Sequence, residues 1–171
     1  MAKAEAVFIY VGTYPSQDLA EADCEVVMDL HAAGVVGSYD VAVVTKDDNG
    51  KVHEHKHEMA TRHGGWGGAA VGALIGCLFP PAIIVTTAAG AAVGAVSGHL
   101  WRGMSRADCK ELGDLIDDGQ AALVIVGENT IEQAVDKAAL KAEKQVAKEL
   151  DVNPKDLDAA VKEAATELGA A

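Results

Sequence analysis

Between Gly64 and Leu100 the chain runs 37 residues without one Asp, Glu, Lys or Arg. The stretch holds nine of the 18 glycines and a Pro80-Pro81 pair near its middle. Glycines stand at 64, 68, 72 and 76, and again at 90, 94 and 98. On a helix, positions four apart share one face. Each arm would therefore carry a groove without side chains, into which another helix can press its backbone. Gly costs about 1 kcal/mol per helical position relative to Ala. Seven of them in register need a packing partner to offset that loss. The sequence predicts a helical hairpin made for close helix association, and it names no substrate and no reaction.

The remaining composition narrows the classes. At 171 residues the chain is expected to be one domain with appendages. Half the residues are hydrophobic but only 4% are aromatic, so packing must rely on close backbone approach. The formal net charge is −12, divided as −6 over residues 1–63, +1 over 64–104 and −7 over 105–171. An acidic surface without a basic stripe argues against nucleic acid as a partner. Cys24, Cys77 and Cys109 show no paired spacing, so reduced thiols are expected rather than a disulfide framework or a zinc site. Met1-Ala-Lys-Ala-Glu lacks a basic region followed by an apolar core. No secretory signal is expected, and the cytoplasm is the expected location.

In chain order, the apolar run Ala6 to Gly12 predicts a buried strand. Ser16 is placed to cap a helix from Gln17 to about Ala33, with Leu19, Ala22, Val26 or Val27, and Leu30 on its apolar face and Gly34 ending it. Ser38 to Thr45 and Lys51 to Met59 predict two strands joined at the turn Asp47-Asp-Asn-Gly50. Ser105 and Asp108 suggest a capping box opening a further helix. Gln120 to Gly127 reads as another buried strand. Thr130 would cap a helix to about Leu150, and Asn153-Pro154 would start a last one ending near Leu168. The expected fold is α+β: a ferredoxin-like βαββ–αβ sandwich with an inserted glycine-rich helical hairpin and two C-terminal helices. Its divisions are residues 5–63 and 102–128 for the sandwich, 64–101 for the hairpin and 129–171 for the helical extension.

The order of these segments carries a resemblance. A Val/Ile-rich strand, a hairpin closed at Asp-Asn-Gly, Gly64-Gly-Trp-Gly-Gly-Ala-Ala-Val-Gly-Ala-Leu-Ile-Gly76, a Pro break, Gly90-Ala-Ala-Val-Gly94, a helix and Ala-Leu-Val-Ile-Val follow one another. Over residues 5–135 this resembles the bacterial Domain of Unknown Function twelve sixty-nine family, often labelled "predicted membrane protein". The resemblance implies no reaction, cofactor or catalytic residue. Some glycine-zipper relatives are linked to general stress. The helical tail and the His-rich strand depart from the family pattern.

The hairpin poses the question of a bilayer. Trp66 and Trp101 bracket it, with Arg62, Arg102 and Arg106 just outside, as a membrane interface favours. Length argues the other way: Trp66 to Phe79 spans about 21 Å at 1.5 Å per residue, against a hydrocarbon core of ~30 Å. Two readings stay open, a re-entrant wedge at the inner membrane or a soluble oligomer with interlocked hairpins. A hairpin folded back on its own sheet is the plainest third.

Smaller signals complete the survey. His53, His55 and His57 share one face of a strand and, with His63, could converge on a metal or respond to pH; a solvated sheet face is the plainer account. Ser16 at a helix start could hold an anion, but capping alone explains it. No nucleophilic set stands out, and no enzyme activity and no cofactor are expected. The chain's expected partner is itself, through Gly64, Gly68, Gly72, Gly76, Gly90, Gly94 and Gly98, with membrane lipid as a further candidate.

Overall fold

A computed structural model describes residues 7–34, 39–55, 74–75, 78–79, 84–85, 105–117, 119–128, 133–135, 138, 140–150, 155 and 159. Six strands form one sheet: β1 (Val7–Tyr14), β2 (Tyr39–Lys46), β3 (Val52–His55), β4 (Ile84–Val85), β5 (Ala121–Glu128) and β6 (Lys144–Leu150). Two described helices flank it, α1 (Gln17–Ala32) and α2 (Arg106–Asp114). The strand order is β4-β3-β2-β5-β1-β6. All pairings are antiparallel except β3 with β4, where Val52 faces Ile84 and His53 faces Val85. The class is α+β.

The order of the strands differs from the ferredoxin-like expectation. That arrangement would set the hairpin strand β3 between β1 and β2; here β5 lies there, pairing with both. Composition accounts for the exchange. Ala121-Ala-Leu-Val-Ile-Val126 is apolar on both faces and buried throughout, which suits the centre of a sheet. Val52-His-Glu-His55 carries polar residues and suits a place near the edge.

Local capping follows the sequence closely. The Ser16 hydroxyl accepts from the Leu19 amide, so capping accounts for it. Ser105 and Asp108 form the reciprocal capping box, each side chain bonding the other's backbone amide at 3.1 Å. Gly50 takes a φ of 79° in the β2–β3 turn, a conformation that only glycine adopts freely.

Three other expectations fail, each for a tertiary reason. The apolar face of α1 is as expected at Val27, which is buried, and Leu30, which packs on the core, but differs in the first turns, where Ala20, Asp23 and Cys24 are buried while Leu19 is 44% exposed; Val26 is 37% exposed. Ile84–Val85 is a short strand where a second helical arm from Ala82 to Trp101 was expected. The β-branched run after Pro80-Pro81 prefers extended backbone, and β3 offers an open edge. The helix expected from Thr130 to Leu150 stops short. Residues 133–135 and 138 are helical, but Lys144–Leu150 is β6. Seven residues there pair with β1, from Thr13↔Lys144 to Val7↔Leu150. The ladder offered by β1 outweighs the helix preference of Ala, Lys and Glu, which is a weak local term. Lys144, Lys148 and Glu149 also suit an edge strand, where charge discourages further pairing. Of the final helix, Lys155 and Ala159 are described and helical.

Candidate functional site

The two faces of the sheet are covered differently. On one, α1 and residues 134–135 close over Phe8, Tyr10, Tyr14, Val41, Val43, Leu123 and Ile125. On the other, Val7, Ile9, Val11, Ala42, Val44, Val52, Val124 and Val126 make an apolar floor. Two segments lie on that floor. One is α2, through Cys109 and Leu112, with Ile116 just beyond it. The other is the glycine-rich stretch, through Leu74, Ile75, Leu78 and Phe79, each 5% exposed or less.

These four residues make the candidate site. The Phe79 amide donates to the Ile75 carbonyl at 3.1 Å, the i to i−4 bond of a helical turn. Leu74 and Leu78 are one turn apart and share a face. The approach to α2 is close: a Cβ at Gly113 would run into the Leu78 carbonyl oxygen. Glycine inside a helix lowers its stability, so Gly113 serves the contact rather than the helix. The sequence carries that signal, a lone Gly within a helical pattern.

The glycines at 64, 68, 72, 76, 90, 94 and 98, together with Trp66, Trp101, Arg62 and Arg102, lie outside the described residues. No described helix is long and apolar enough to cross a membrane.

The His strand is only partly in view. His53 and His55 sit on β3, and His57 and His63 lie outside the described residues. His53 Nε2 is 3.1 Å from Asp47 Oδ2, and His55 Nε2 is 2.9 Å from Thr45 Oγ1. The His53 bond and the Lys51 amide hold the Asp47 carboxyl below its ordinary range. Both described imidazoles are thus engaged within the hairpin. Among the described residues no group of three His, Cys, Asp or Glu could hold a metal.

Sequence reasoning missed a buried polar network under α1. The Tyr14 hydroxyl donates to Asp23 Oδ2 at 2.6 Å, and the Lys141 amide donates to the same oxygen at 2.7 Å. The Tyr10 hydroxyl donates to Gln145 Oε1 at 3.1 Å. Burial, then the bond to Asp23, pushes the Tyr14 hydroxyl far above its ordinary value of 10.0; burial also raises Tyr10. Tyr10 and Tyr14 alternate onto one face of β1, and a Cβ at Gly12 would strike the Tyr10 hydroxyl and the Ala142 Cβ. Gly12 therefore lies inside the strand and makes room, where a strand end was expected. The readable signal was Asp23 at the spacing of Ala20, Cys24 and Val27.

Of the two described cysteines, one is as expected and one is not. Cys24 is a free, buried thiol, pushed up to about 12 by burial and by Glu21 and Glu25. Cys109 is disulfide-bonded, where reduced thiols were expected. Disulfides follow proximity in space, which linear spacing does not reveal.

The glycine-rich stretch, α2, β5 and the tail through β6 are also what relates this chain to others. Residues 65–162 match the family described as Protein of unknown function (DUF1269), and the chain belongs to that family. The match begins later than the resemblance suggested and includes most of the tail that had looked like a departure. No curated protein and no solved structure matches.

Proposed function

We propose that this is a non-enzymatic assembly protein whose glycine register joins copies of the chain. The observation that carries the reading is the burial of Leu74 and Leu78 on the chain's own sheet. Gly72 and Gly76 each precede one of these leucines by two residues. At 100° per residue, two residues are about half a turn. In a helical register the glycines would therefore share a face that is not the leucines' face. A side-chain-poor face of that kind is suited to a helix from a second copy. The apolar side is thereby used within the chain and the glycine side between chains.

A lipid surface is the other occupant consistent with Trp66, Trp101, Arg62 and Arg102. A stress role and a place at the bacterial inner membrane belong to that same reading. Native mass with and without detergent separates the two. A detergent-independent oligomer supports assembly through protein contacts. A particle that forms only in detergent, or that pellets with carbonate-washed membranes, supports lipid contact. A monomer under both conditions overturns the proposal.

A further inference from the structure

The last strand in the sheet order, β6, is seated differently from the strands beside it. β1 is buried along its whole length, and β5 on its other side is buried from Ala121 to Val126. In β6, Lys144, Gln145, Ala147 and Glu149 are exposed. Among its described side chains, Val146 packs against an apolar cluster. The rest of its seat is polar. It consists of the ladder to β1, the Tyr10 hydroxyl on Gln145 Oε1 at 3.1 Å, and two surface ion pairs. Those pairs are Lys148 with Asp108 at 3.0 Å and Lys144 with Asp117 at 3.7 Å. A strand held by exposed backbone bonds and little apolar area opens at lower free energy than the core strands.

Its one buried tie lies just before it. The Lys141 amide donates to Asp23 Oδ2 at 2.7 Å, and Asp23 is 4% exposed. The Glu143 amide donates to the Thr13 carbonyl at 2.8 Å, which sets the first rung of the ladder. Without the Asp23 carboxylate, the Lys141 amide loses its acceptor and the entry to β6 is untied.

We propose that β6 is an exchangeable strap: Asp23 latches its entry, and the edge of β1 beneath it accepts β6 of a second copy in place of its own. The occupant follows from the register. Once β6 leaves, the backbone groups of Val7–Thr13 that faced it need new partners, and an open strand edge takes another strand. The segment that matches this edge is Lys144–Leu150, from Thr13↔Lys144 to Val7↔Leu150. Gln145 brings the acceptor for the Tyr10 hydroxyl, and Lys148 the cation for Asp108, whichever copy supplies the strand. The exchange uses none of the glycines and stands whether or not they join copies.

A labelled synthetic peptide of residues 141–150 tests the edge, read by fluorescence anisotropy on the full chain. The chain's own strap competes at an effective concentration on the order of millimolar, so wild type should bind the peptide weakly. Asp23→Ala should bind it on the order of tenfold more tightly. Equal binding by the two proteins, or equal binding of a peptide with the same residues in scrambled order, overturns the proposal. Hydrogen exchange tests the strap itself. In wild type, β6 amides should exchange on the order of tenfold or more faster than those of β5, and Asp23→Ala should widen that gap by speeding β6 alone. Exchange of β6 at the rate of β5 in wild type overturns the strap. Should Asp23→Ala fail to fold, that wild-type comparison decides.

Discussion

One face of the sheet is closed by a helix next to it in sequence, the other by a segment that enters from the middle of the chain. Under α1 the contact is latched by polar groups: Tyr14 and the Lys141 amide share the Asp23 carboxylate. Over the opposite face the described contacts of residues 74–79 are apolar, with one backbone approach at Gly113. A polar latch specifies one docking geometry because a misplaced partner leaves a buried donor or acceptor unsatisfied. Apolar contacts are less exacting about position. The first face is therefore built to stay closed, and the second is held by apolar area.

Substitutions can break that contrast in a graded way. Leu74→Ala should cost the most, about 2–5 kcal/mol, because it removes a fully buried side chain against a rigid floor. Urea unfolding measures it, and a loss under about 1 kcal/mol would mean that the floor does not depend on the stretch. Tyr14→Phe should cost about 1–3 kcal/mol by taking one donor from Asp23. It should also alter the alkaline limb. Tyr14 is raised in the folded chain, so above pH 10.0 the unfolded state loses this proton first and stability falls as pH rises. Thermal scans between neutral and strongly alkaline pH should show a shallower fall in Tyr14→Phe than in wild type. Identical slopes would exclude Tyr14 as a source.

Gly113→Ala sets two effects against each other. Alanine gains about 1 kcal/mol in the helix, but its Cβ meets the Leu78 carbonyl. A net loss of about 1–2 kcal/mol is expected by denaturant midpoint. A gain would mean that α2 and the stretch move apart freely. His53→Ala is the mildest change. Without the imidazole, the Asp47 carboxyl should return toward 3.8 in an NMR titration. Asp47 is lowered in the folded chain, so its small contribution is present above 3.8 and lost as pH falls through the lower folded value. An unmoved titration would show that the Lys51 and Asn49 amides alone set it.

How much was readable follows the same division. Local signals were accurate: the Ser16 cap, the Ser105–Asp108 box and the Asp47–Gly50 turn each rest on chemistry within a few residues. Strand β5 was legible because its run of Leu, Val and Ile leaves no polar face. What failed were segments whose state depends on a distant edge. Lys144–Leu150 has helix-forming residues and becomes a strand because the edge of β1 away from β5 is open to pair with it. The face of α1 rotates because Asp23 bonds partners at positions 14 and 141, which no periodicity records. The core contacts of Leu74, Ile75, Leu78 and Phe79 were expected only as the plainest alternative, since a glycine repeat draws attention to itself and not to the leucines between.

The central claim is that the stretch divides its two sides between its own sheet and a second copy. Sedimentation velocity on wild type, Gly72→Leu and Leu74→Ala tests it most directly. Wild type should sediment as an oligomer, and Gly72→Leu should drop to monomer while its unfolding midpoint stays near wild type. Leu74→Ala should instead lose folding stability. A monomeric wild type, or a Gly72→Leu variant of unchanged mass, would contradict the account.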